Sequence, residues 1–376
     1  MIFLIIKQIF KTLILSLIIF MICCSKSQGQ SSKSSSDSLI IDLSKKKIER
    51  VRLEKIETLP LNDNIYHVSL FAIFHEEEKR SLVFLDEQQA TINKLDIDSG
   101  DIISIGKGGR GPFEYVNPSY VRTKHSEIYV WDAMQLKFIV FDEKGNEIRE
   151  SKTLTRALIK FDVINEDSLA LYMSGGFEGP SVGIYSFSEE TVFEENLTGE
   201  QTKSDRLLTI LRGSGGILSE YPYIFYVLPG SLNIHVYNMI TNEEKVIEIV
   251  SPNFQVDEFD DDVNQFVNTN RNGLEEYLLN NSSTMGIYRY QDFLIIKTIN
   301  GKAGSITSSQ GNFSHDNRYY LFYLLNNQFD VVGYFKRNFN FHTEYEIFNN
   351  ELYELVFQEY DQTAAYEIHK YSLNID

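Results

Sequence analysis

The hydrophobic residues of this chain fall in short clusters that are separated by polar turns. The stretches "LVFLDEQQATINKLDIDSGDI" (Leu82 to Ile102) and "IYVWDAMQLKFIVFDEKGNEI" (Ile128 to Ile148) superpose without a gap at an offset of 46 residues. Each contains three apolar clusters, divided by a polar turn and then by an Asp/Gly turn. The clusters are rich in β-branched and aromatic residues, which favour strands. The pattern predicts a repeated unit of antiparallel strands.

The centre of this unit recurs through the rest of the chain. It consists of an apolar residue, two spacers, an apolar or aromatic residue and then Asp, Asn or Ser, and it ends at positions 96, 142, 188, 238, 326 and 372. The successive spacings are 46, 46, 50, 88 and 46 residues. Repeats of this length with three or four strands are typical of propeller blades. We therefore predict an all-β fold, a six-bladed β-propeller over residues 39–376.

The 88-residue spacing has room for an extra blade or for an insertion. Residues 254–285 are rich in Asn and Asp and do not alternate as a strand does. Within them Val256, Phe259, Val263 and Phe266 recur at helical spacing. The sequence therefore predicts a short helical insertion between blades 4 and 5.

The sixth unit is short of an outer strand, because Asp376 follows its centre by only a few residues. The segment from Ile48 to Leu59 precedes the first blade and alternates apolar with charged residues. We predict that this segment pairs with the open edge of the last blade and closes the ring.

The N-terminal residues have the pattern of an export signal. Lys7 and Lys11 are followed by an apolar run from Thr12 to Ile22, and then by Cys23 and Cys24. This order is typical of a bacterial lipoprotein signal, in which a cysteine becomes the lipidated N-terminus after cleavage. An uncleaved membrane anchor is the alternative, but the two lysines leave too short an apolar core.

These features predict a signal peptide at residues 1–24 and a Ser-rich tether at 25–38. Cys24 is the expected lipidation site, with Cys23 as the alternative. The protein is then expected in the cell envelope of a Gram-negative bacterium, held to the membrane by its lipid.

Charge and cysteine content exclude several function classes. The formal net charge is −18, and an acidic chain repels the phosphate backbone, so nucleic acid is not an expected partner. Both cysteines of the chain lie in the N-terminal segment. The predicted propeller therefore has no disulfide, cysteine nucleophile or thiolate zinc site.

The stretch "GKGGRG" at 106–111 has the G-x-G-x-x-G spacing of a dinucleotide-binding loop. Such a loop needs a strand before it and a helix after it. Here Pro112 and Pro118 follow, so the sequence excludes a nucleotide site. It predicts instead a connection between the outer strand of one blade and the inner strand of the next, beside the central channel.

In its repeated blades and in this loop, the chain resembles the six-bladed β-propeller lipoproteins of Gram-negative bacteria, which are distant relatives of NHL-repeat propellers. Members carry a G-x-G-P-x-E-[FY] segment between early blades. The matching residues here are Gly109, Gly111, Pro112, Glu114 and Tyr115, and Phe113 stands where a second glycine is usual. The resemblance covers about residues 40–376 and implies the fold and an envelope location, but no activity.

Four residues of this segment are candidate ligand contacts at the channel rim: Lys107, Arg110, Glu114 and Tyr115. The Arg110 guanidinium suits a carboxylate or a sugar acid, although an ion pair with Glu114 is the favoured expectation. No catalytic residue, cofactor site or metal site is predicted, since no zinc-binding His motif, calcium loop or nucleophile elbow occurs.

The sequence thus favours a binding or interaction module over an enzyme, with a glycan, a peptide or an envelope protein as its ligand. The alternative is a lactonase-like hydrolase with a divalent cation, such as calcium, in the central channel. That would need Asp, Glu, Asn or His side chains from several blades. A third possibility is a sensor or assembly factor that uses residues 254–285 as its contact.

Overall fold

The computed structural model describes residues 39–45, 48–60, 68–76, 79–86, 89–174, 181–193, 201–301, 318–339, 344–348, 351–360 and 363–374. The predicted signal peptide, tether and lipidated cysteine lie outside these residues. Three strands precede the first blade: β1 (Leu39–Asp42), β2 (Glu49–Arg50) and β3 (Arg52–Pro60).

Six antiparallel sheets then follow one another along the chain, and we number them as blades 1 to 6. The strands of blade 1 are β4 (Val68–Glu76), β5 (Lys79–Asp86), β6 (Thr91–Asp96) and β7 (Ile102–Ile105). The next connection contains two short strands, β8 (Lys107–Gly108) and β9 (Glu114–Tyr115). The strands of blade 2 are β10 (Pro118–Lys124), β11 (Glu127–Asp132), β12 (Lys137–Asp142) and β13 (Glu147–Glu150). Those of blade 3 are β14 (Ala157–Val163), β15 (Ser168–Ser174), β16 (Ser181–Ser186) and β17 (Thr191–Phe193).

The second half of the chain repeats this arrangement. The strands of blade 4 are β18 (Gly216–Glu220), β19 (Tyr223–Val227), β20 (Ile234–Asn238) and β21 (Glu243–Val250). Those of blade 5 are β22 (Ser283–Tyr290), β23 (Phe293–Ile299), β24 (Tyr319–Leu325) and β25 (Val331–Asn338). Blade 6 contains β26 (Glu344–Phe348), β27 (Glu351–Tyr360) and β28 (Thr363–Asn374).

The first strands of the blades form a closed ring around a central channel. Each of β4, β10, β14, β18, β22 and β26 contacts the first strands of both neighbouring blades. The six predicted repeat centres all fall on or just after the third strand of a blade. The six-bladed all-β fold is therefore confirmed.

The core consists of apolar layers between neighbouring blades, one in each of the six spaces. Between blades 2 and 3, the Phe138 ring lies 4.8 Å from Trp131 and 5.0 Å from Phe161. Both faces of a central strand are covered, so nearly all of β12 is buried. This is why the repeat appears in the sequence as apolar clusters, because each buried side chain adds apolar area removed from water.

The N-terminal strap, residues 39–60, runs along the outer edges of blades 4, 5 and 6. β3 pairs antiparallel with β28, from Arg52 opposite Asn374 to Pro60 opposite Glu367. The predicted closing strand is thus confirmed. β1 and β2 add parallel edge strands to blades 4 and 5, which the sequence did not predict.

Three helices occur in the described part of the chain: α1 (Lys203–Arg212), α2 (Val263–Thr269) and α3 (Arg271–Asn280). α2 and α3 lie within the predicted insertion at 254–285. α1, between blades 3 and 4, was not predicted. Its start is fixed by a capping box, in which Thr202 and Asp205 satisfy each other's backbone N–H groups.

The three helices pack together around Leu207, Phe259 and Val263. They sit in connections that lead into the first strands of blades 4 and 5. None of the helices described by the structure combines the length and apolar character needed to cross a bilayer.

Candidate functional site

The "GKGGRG" stretch connects β7, the outer strand of blade 1, with β10, the inner strand of blade 2. This confirms the predicted kind of connection. Gly106 has a φ of +72°, and a Cβ atom there would lie 2.5 Å from Cζ of Phe141. Only glycine fits this backbone and this contact. The glycines therefore serve the chain path.

Two charged side chains of this loop, those of Lys107 and Glu114, pair with each other. Glu114 accepts a hydrogen bond from the Gly111 N–H at 2.8 Å and forms an ion pair with Lys107 Nζ at 3.1 Å. The hydrogen bond from Gly111, and then Lys107, lower the pKa of Glu114. The sequence predicts an ion pair between Arg110 and Glu114. In the structure, Glu114 pairs with Lys107 instead.

Tyr115 belongs to the core between blades 1 and 2, with 1% of its surface exposed. Its hydroxyl donates to the Ile105 carbonyl at 2.8 Å and accepts from the Ile92 N–H at 3.2 Å. The loop tip contacts β13, the outer strand of blade 2, where the Phe113 N–H donates to Glu150 Oε2 at 2.8 Å. None of the four predicted contact residues lines the central cavity described next. Their contact with a ligand stays a prediction.

A cavity of about 170 Å³ lies in the central channel. Its walls come from the first strands of blades 2 to 6, from the end of α1 and from neighbouring strands of blade 5. Most of the charged side chains among its described lining residues are basic. These are the cationic Arg122, Lys160, Arg212 and Lys297 and the acidic Glu346.

Arg122 and Glu346 form an ion pair across the channel. Nη1 of Arg122 on β10 lies 2.9 Å from Oε1 of Glu346 on β26, and the two side chains are 19% and 17% exposed. Burial alone would lower the pKa of Arg122, but Glu346 together with Tyr120, Asp162 and Tyr288 outweighs burial and raises that pKa. This pair joins blade 2 to blade 6 across blade 1.

Lys160 and Lys297 approach the cavity from two other blades. Lys160 Nζ on β14 donates to the Gly215 carbonyl at 2.7 Å and to the Met285 carbonyl. Lys297 is 4% exposed, and its Nζ lies 4.7 Å from the ring centre of Tyr320. Aromatic faces stabilise an ammonium group but leave its charge in place.

Arg212 enters the cavity from the last turn of α1. It donates to the Asn281 carbonyl at 3.3 Å and to the Leu278 carbonyl, which also accepts from Arg318 at 3.1 Å. Burial, and then repulsion by Arg318, lower the pKa of Arg212 to about 9. Burial lowers the pKa of Arg318 to about 10. Both guanidinium groups therefore remain charged at neutral pH.

Two glycines form part of the cavity wall, where blades 4 and 5 approach each other. A Cβ atom on Gly216 would lie 2.7 Å from Cα of Gly286 and 2.9 Å from the backbone nitrogen of Ile287. The absence of side chains at this contact lets β18 and β22 come together beside the cationic groups.

A second glycine-rich connection, not singled out for ligand contacts in the sequence, contributes to the cavity. The connection "RGSGG" (Arg212 to Gly216) leads from the end of α1 into β18, and it supplies the cavity with Arg212 and Gly216. A usable signal was present for the lysines. Lys160 in "ALIKFDV" and Lys297 in "FLIIKTI" are charged residues inside apolar strands, which indicates a polar space beside them.

Histidines and acids do not gather into a metal site anywhere in the described ranges. His235 on β20 contacts Glu244 at 2.9 Å, and His369 on β28 contacts Glu367 at 2.9 Å. They belong to different blades, in line with the repeat.

Two crystal structures from Bacteroides share this architecture. A member of the DUF4221 family from Bacteroides vulgatus is 14% identical, with a TM-score of 0.63, over 88% of this chain and 100% of that chain. A Bacteroides fragilis protein, named as an exported protein, is 13% identical, with a TM-score of 0.58, over 90% of this chain and 99% of that chain. At this identity the similarity shows the fold alone.

No curated protein is similar enough to this chain to match it. The family DUF5128, described as "6-bladed beta-propeller", matches residues 76–294, which is more than half of the chain. The matched range runs from the end of β4 in blade 1 into β23 of blade 5. This chain therefore belongs to the DUF5128 family of six-bladed β-propellers.

Proposed function

We propose that this protein is a non-catalytic binding module of the bacterial cell envelope, whose central cavity binds a small anionic ligand. The observation that carries the proposal is the sign of the charge at the cavity. Four described lining residues are cationic and one is acidic, in a chain with a net charge of −18. Positive charge concentrated in a cleft of an acidic protein attracts anions to that cleft.

The size of the cavity limits the ligand. Pockets for drug-sized molecules measure roughly 300–1,000 Å³, whereas this cavity measures about 170 Å³. A small acid or a single charged sugar fits such a space better than a polymer does. Tyr120, Tyr288 and Tyr345 in the lining provide amphipathic surface for the uncharged part of the ligand.

The cationic lining disfavours the alternative of a hydrolase with a divalent cation in the channel. The Glu346 carboxylate already pairs with Arg122. Lys160, Arg212 and Lys297 would repel a metal ion placed beside them. The same groups favour an anion.

The test measures ligand binding by calorimetry and the melting temperature of the mature protein. We expect inorganic phosphate and glucuronate to bind and to raise the melting temperature, and glucose to have no effect. Arg212→Ala should weaken anion binding by about tenfold or more, because a charge-assisted hydrogen bond contributes roughly 1.5–3 kcal/mol. Arg271→Ala is the matched control, since it removes the same charge from a side chain that is 92% exposed. Absence of anion binding by the wild type would contradict the proposal.

The envelope location rests on the N-terminal pattern, and the name of the Bacteroides fragilis relative supports it. We propose that Cys24 carries the lipid. Cells expressing the wild type or Cys23→Ala should incorporate labelled palmitate into the protein, and cells expressing Cys24→Ala should not. Unchanged incorporation in Cys24→Ala would move the lipid to Cys23, and no incorporation in the wild type would contradict a lipid anchor.

A further inference from the structure

We infer that the anion is a phosphate group carrying close to two negative charges, and that Arg318 tunes the cavity for it from behind Arg212. The inference rests on the proposed function, because it specifies the ligand of the same cavity. Its basis is the way in which the fold brings two guanidinium groups together.

Arg212 and Arg318 converge on one carbonyl oxygen, that of Leu278 near the end of α3. Arg212 also donates to the Asn281 carbonyl, and Arg318 donates to the Asn300 carbonyl at 3.3 Å. Arg318 further lies 5.3 Å from the ring centre of Phe339. Within the described residues, these contacts are with carbonyl oxygens and an aromatic ring, which orient the two cations without cancelling their charge.

Such a pair is costly in the empty protein. Arg318 is 6% exposed, and its contacts within the described residues include no acidic side chain. Burial of a charge without an opposite charge destabilises the folded state. The lowered pKa values of both arginines have this origin, since burial disfavours the charged form of each and repulsion by Arg318 adds to the effect on Arg212. An anion in the cavity relieves both effects.

The charge of the pair indicates the charge of the ligand. A single carboxylate compensates one of the two guanidinium groups, whereas a phosphate monoester carries about −1.5 to −2 at pH 7 and compensates both. Phosphate also matches the guanidinium fork, which binds two of its oxygens at once. Lys297 adds a third cation to the lining of the same cavity.

The two arginines have different roles. Arg212 lines the cavity and contacts the ligand. Arg318 is a positioning residue, since it lies behind Arg212 and acts through the shared Leu278 carbonyl and through its charge. Both a free phosphate ion and a phosphorylated sugar present this chemistry, and the experiment separates them.

The experiment compares inorganic phosphate, glucose 6-phosphate and glucuronate by calorimetry at pH 7.5 on the wild type, Arg318→Gln and Arg318→Lys. We expect both phosphates to bind the wild type at least tenfold more tightly than glucuronate. Arg318→Gln should weaken binding of the phosphates about tenfold and of glucuronate about threefold, because the Coulomb energy scales with the charge of the ligand. Arg318→Lys should restore most of the difference. Arg271→Gln, on the exposed side of α3, is the control. It should change neither the affinity for the phosphates nor the affinity for glucuronate.

The outcomes are distinguishable. Tighter binding of glucose 6-phosphate than of phosphate assigns an organic phosphate, and equal binding assigns the free ion. Equal affinity of the wild type for phosphates and glucuronate, or an equal loss for both in Arg318→Gln, would overturn the inference and leave anion binding intact. If Arg318→Gln does not fold, the ratio of the phosphate affinity to the glucuronate affinity in the wild type decides the charge of the ligand. No binding of any anion to the wild type would instead overturn the proposed function.

Discussion

Gly216 and Gly286 show how single residues shape the cavity. β18 and β22 approach so closely at these positions that a Cβ atom on Gly216 would meet the backbone of Gly286 at 2.7 Å. Phe113 shows a different residue-scale constraint. It has a φ of +57°, a left-handed conformation that glycine adopts with less strain.

Gly216→Ala should destabilise the propeller by about 1–3 kcal/mol, because the added methyl group would overpack the contact between the backbones of β18 and β22. The free energy of unfolding in urea measures the effect. Gly108→Ala is the matched control, since a Cβ atom there meets nothing within 4 Å. Equal stability of the two variants would show that β18 and β22 separate easily.

Asp132 provides a test of pH dependence. Burial alone would raise the pKa of Asp132, but hydrogen bonds from the Gln135 side chain and from the N–H groups of Val116, Gln135 and Met134 lower it on balance. Its carboxylate therefore contributes stability that is fully present above about pH 4 and is lost as the pH falls through the lowered folded pKa. Asp132→Asn should cost about 1–3 kcal/mol at pH 7.

The cost of Asp132→Asn should shrink when unfolding is measured at pH 4 and then at pH 3. Asp98→Asn, at an exposed turn of blade 1, is the control and should change little at any pH. A cost that stays constant between pH 7 and pH 3 would show that the ionised form of Asp132 is not what stabilises the turn.

At the scale of elements, the strap and the helices differ in how much of each the sequence predicted. The alternation of Ile48 to Leu59 predicted β3 and its pairing with β28, because a blade lacking an outer strand leaves hydrogen-bonding groups open. β1 and β2 were not predictable in this way, since each has four residues or fewer. α1 had a readable signal in Thr202, Asp205 and Gly213, which cap its two ends.

Deletion of residues 39–59 should abolish the cooperative thermal transition of the propeller. This deletion removes most of the strand that closes blade 6, together with the Glu57 carboxylate that holds Arg80 of blade 1 at 2.6 Å and 3.1 Å. Deletion of residues 39–45 is the control, because it removes only the edge strand of blade 4 and should leave a cooperative transition at a lower temperature. An unchanged melting temperature after the larger deletion would refute the closing role of the strap.

At the scale of the whole molecule, ring closure creates the cavity. The charged lining residues lie as far apart in sequence as Arg122 and Glu346, yet these two meet at 2.9 Å because β10 and β26 face the same channel. The repeat predicted the ring, and the ring predicted a channel. The repeat did not predict which side chains face the channel, since that depends on the register of the first strand of each blade.

The sequence by itself determined the number of blades, the all-β class, the closing strand and the insertion that holds α2 and α3. These follow from local periodicity and from the need of every blade to bury two apolar faces. Only the tertiary structure decided that "GKGGRG" packs against the outer edge of blade 2 and that "RGSGG" reaches the channel. Both are glycine-rich connections with an arginine, and their difference arises from α1, which carries Arg212 to the cavity, and from Glu150, which holds the other loop outside it.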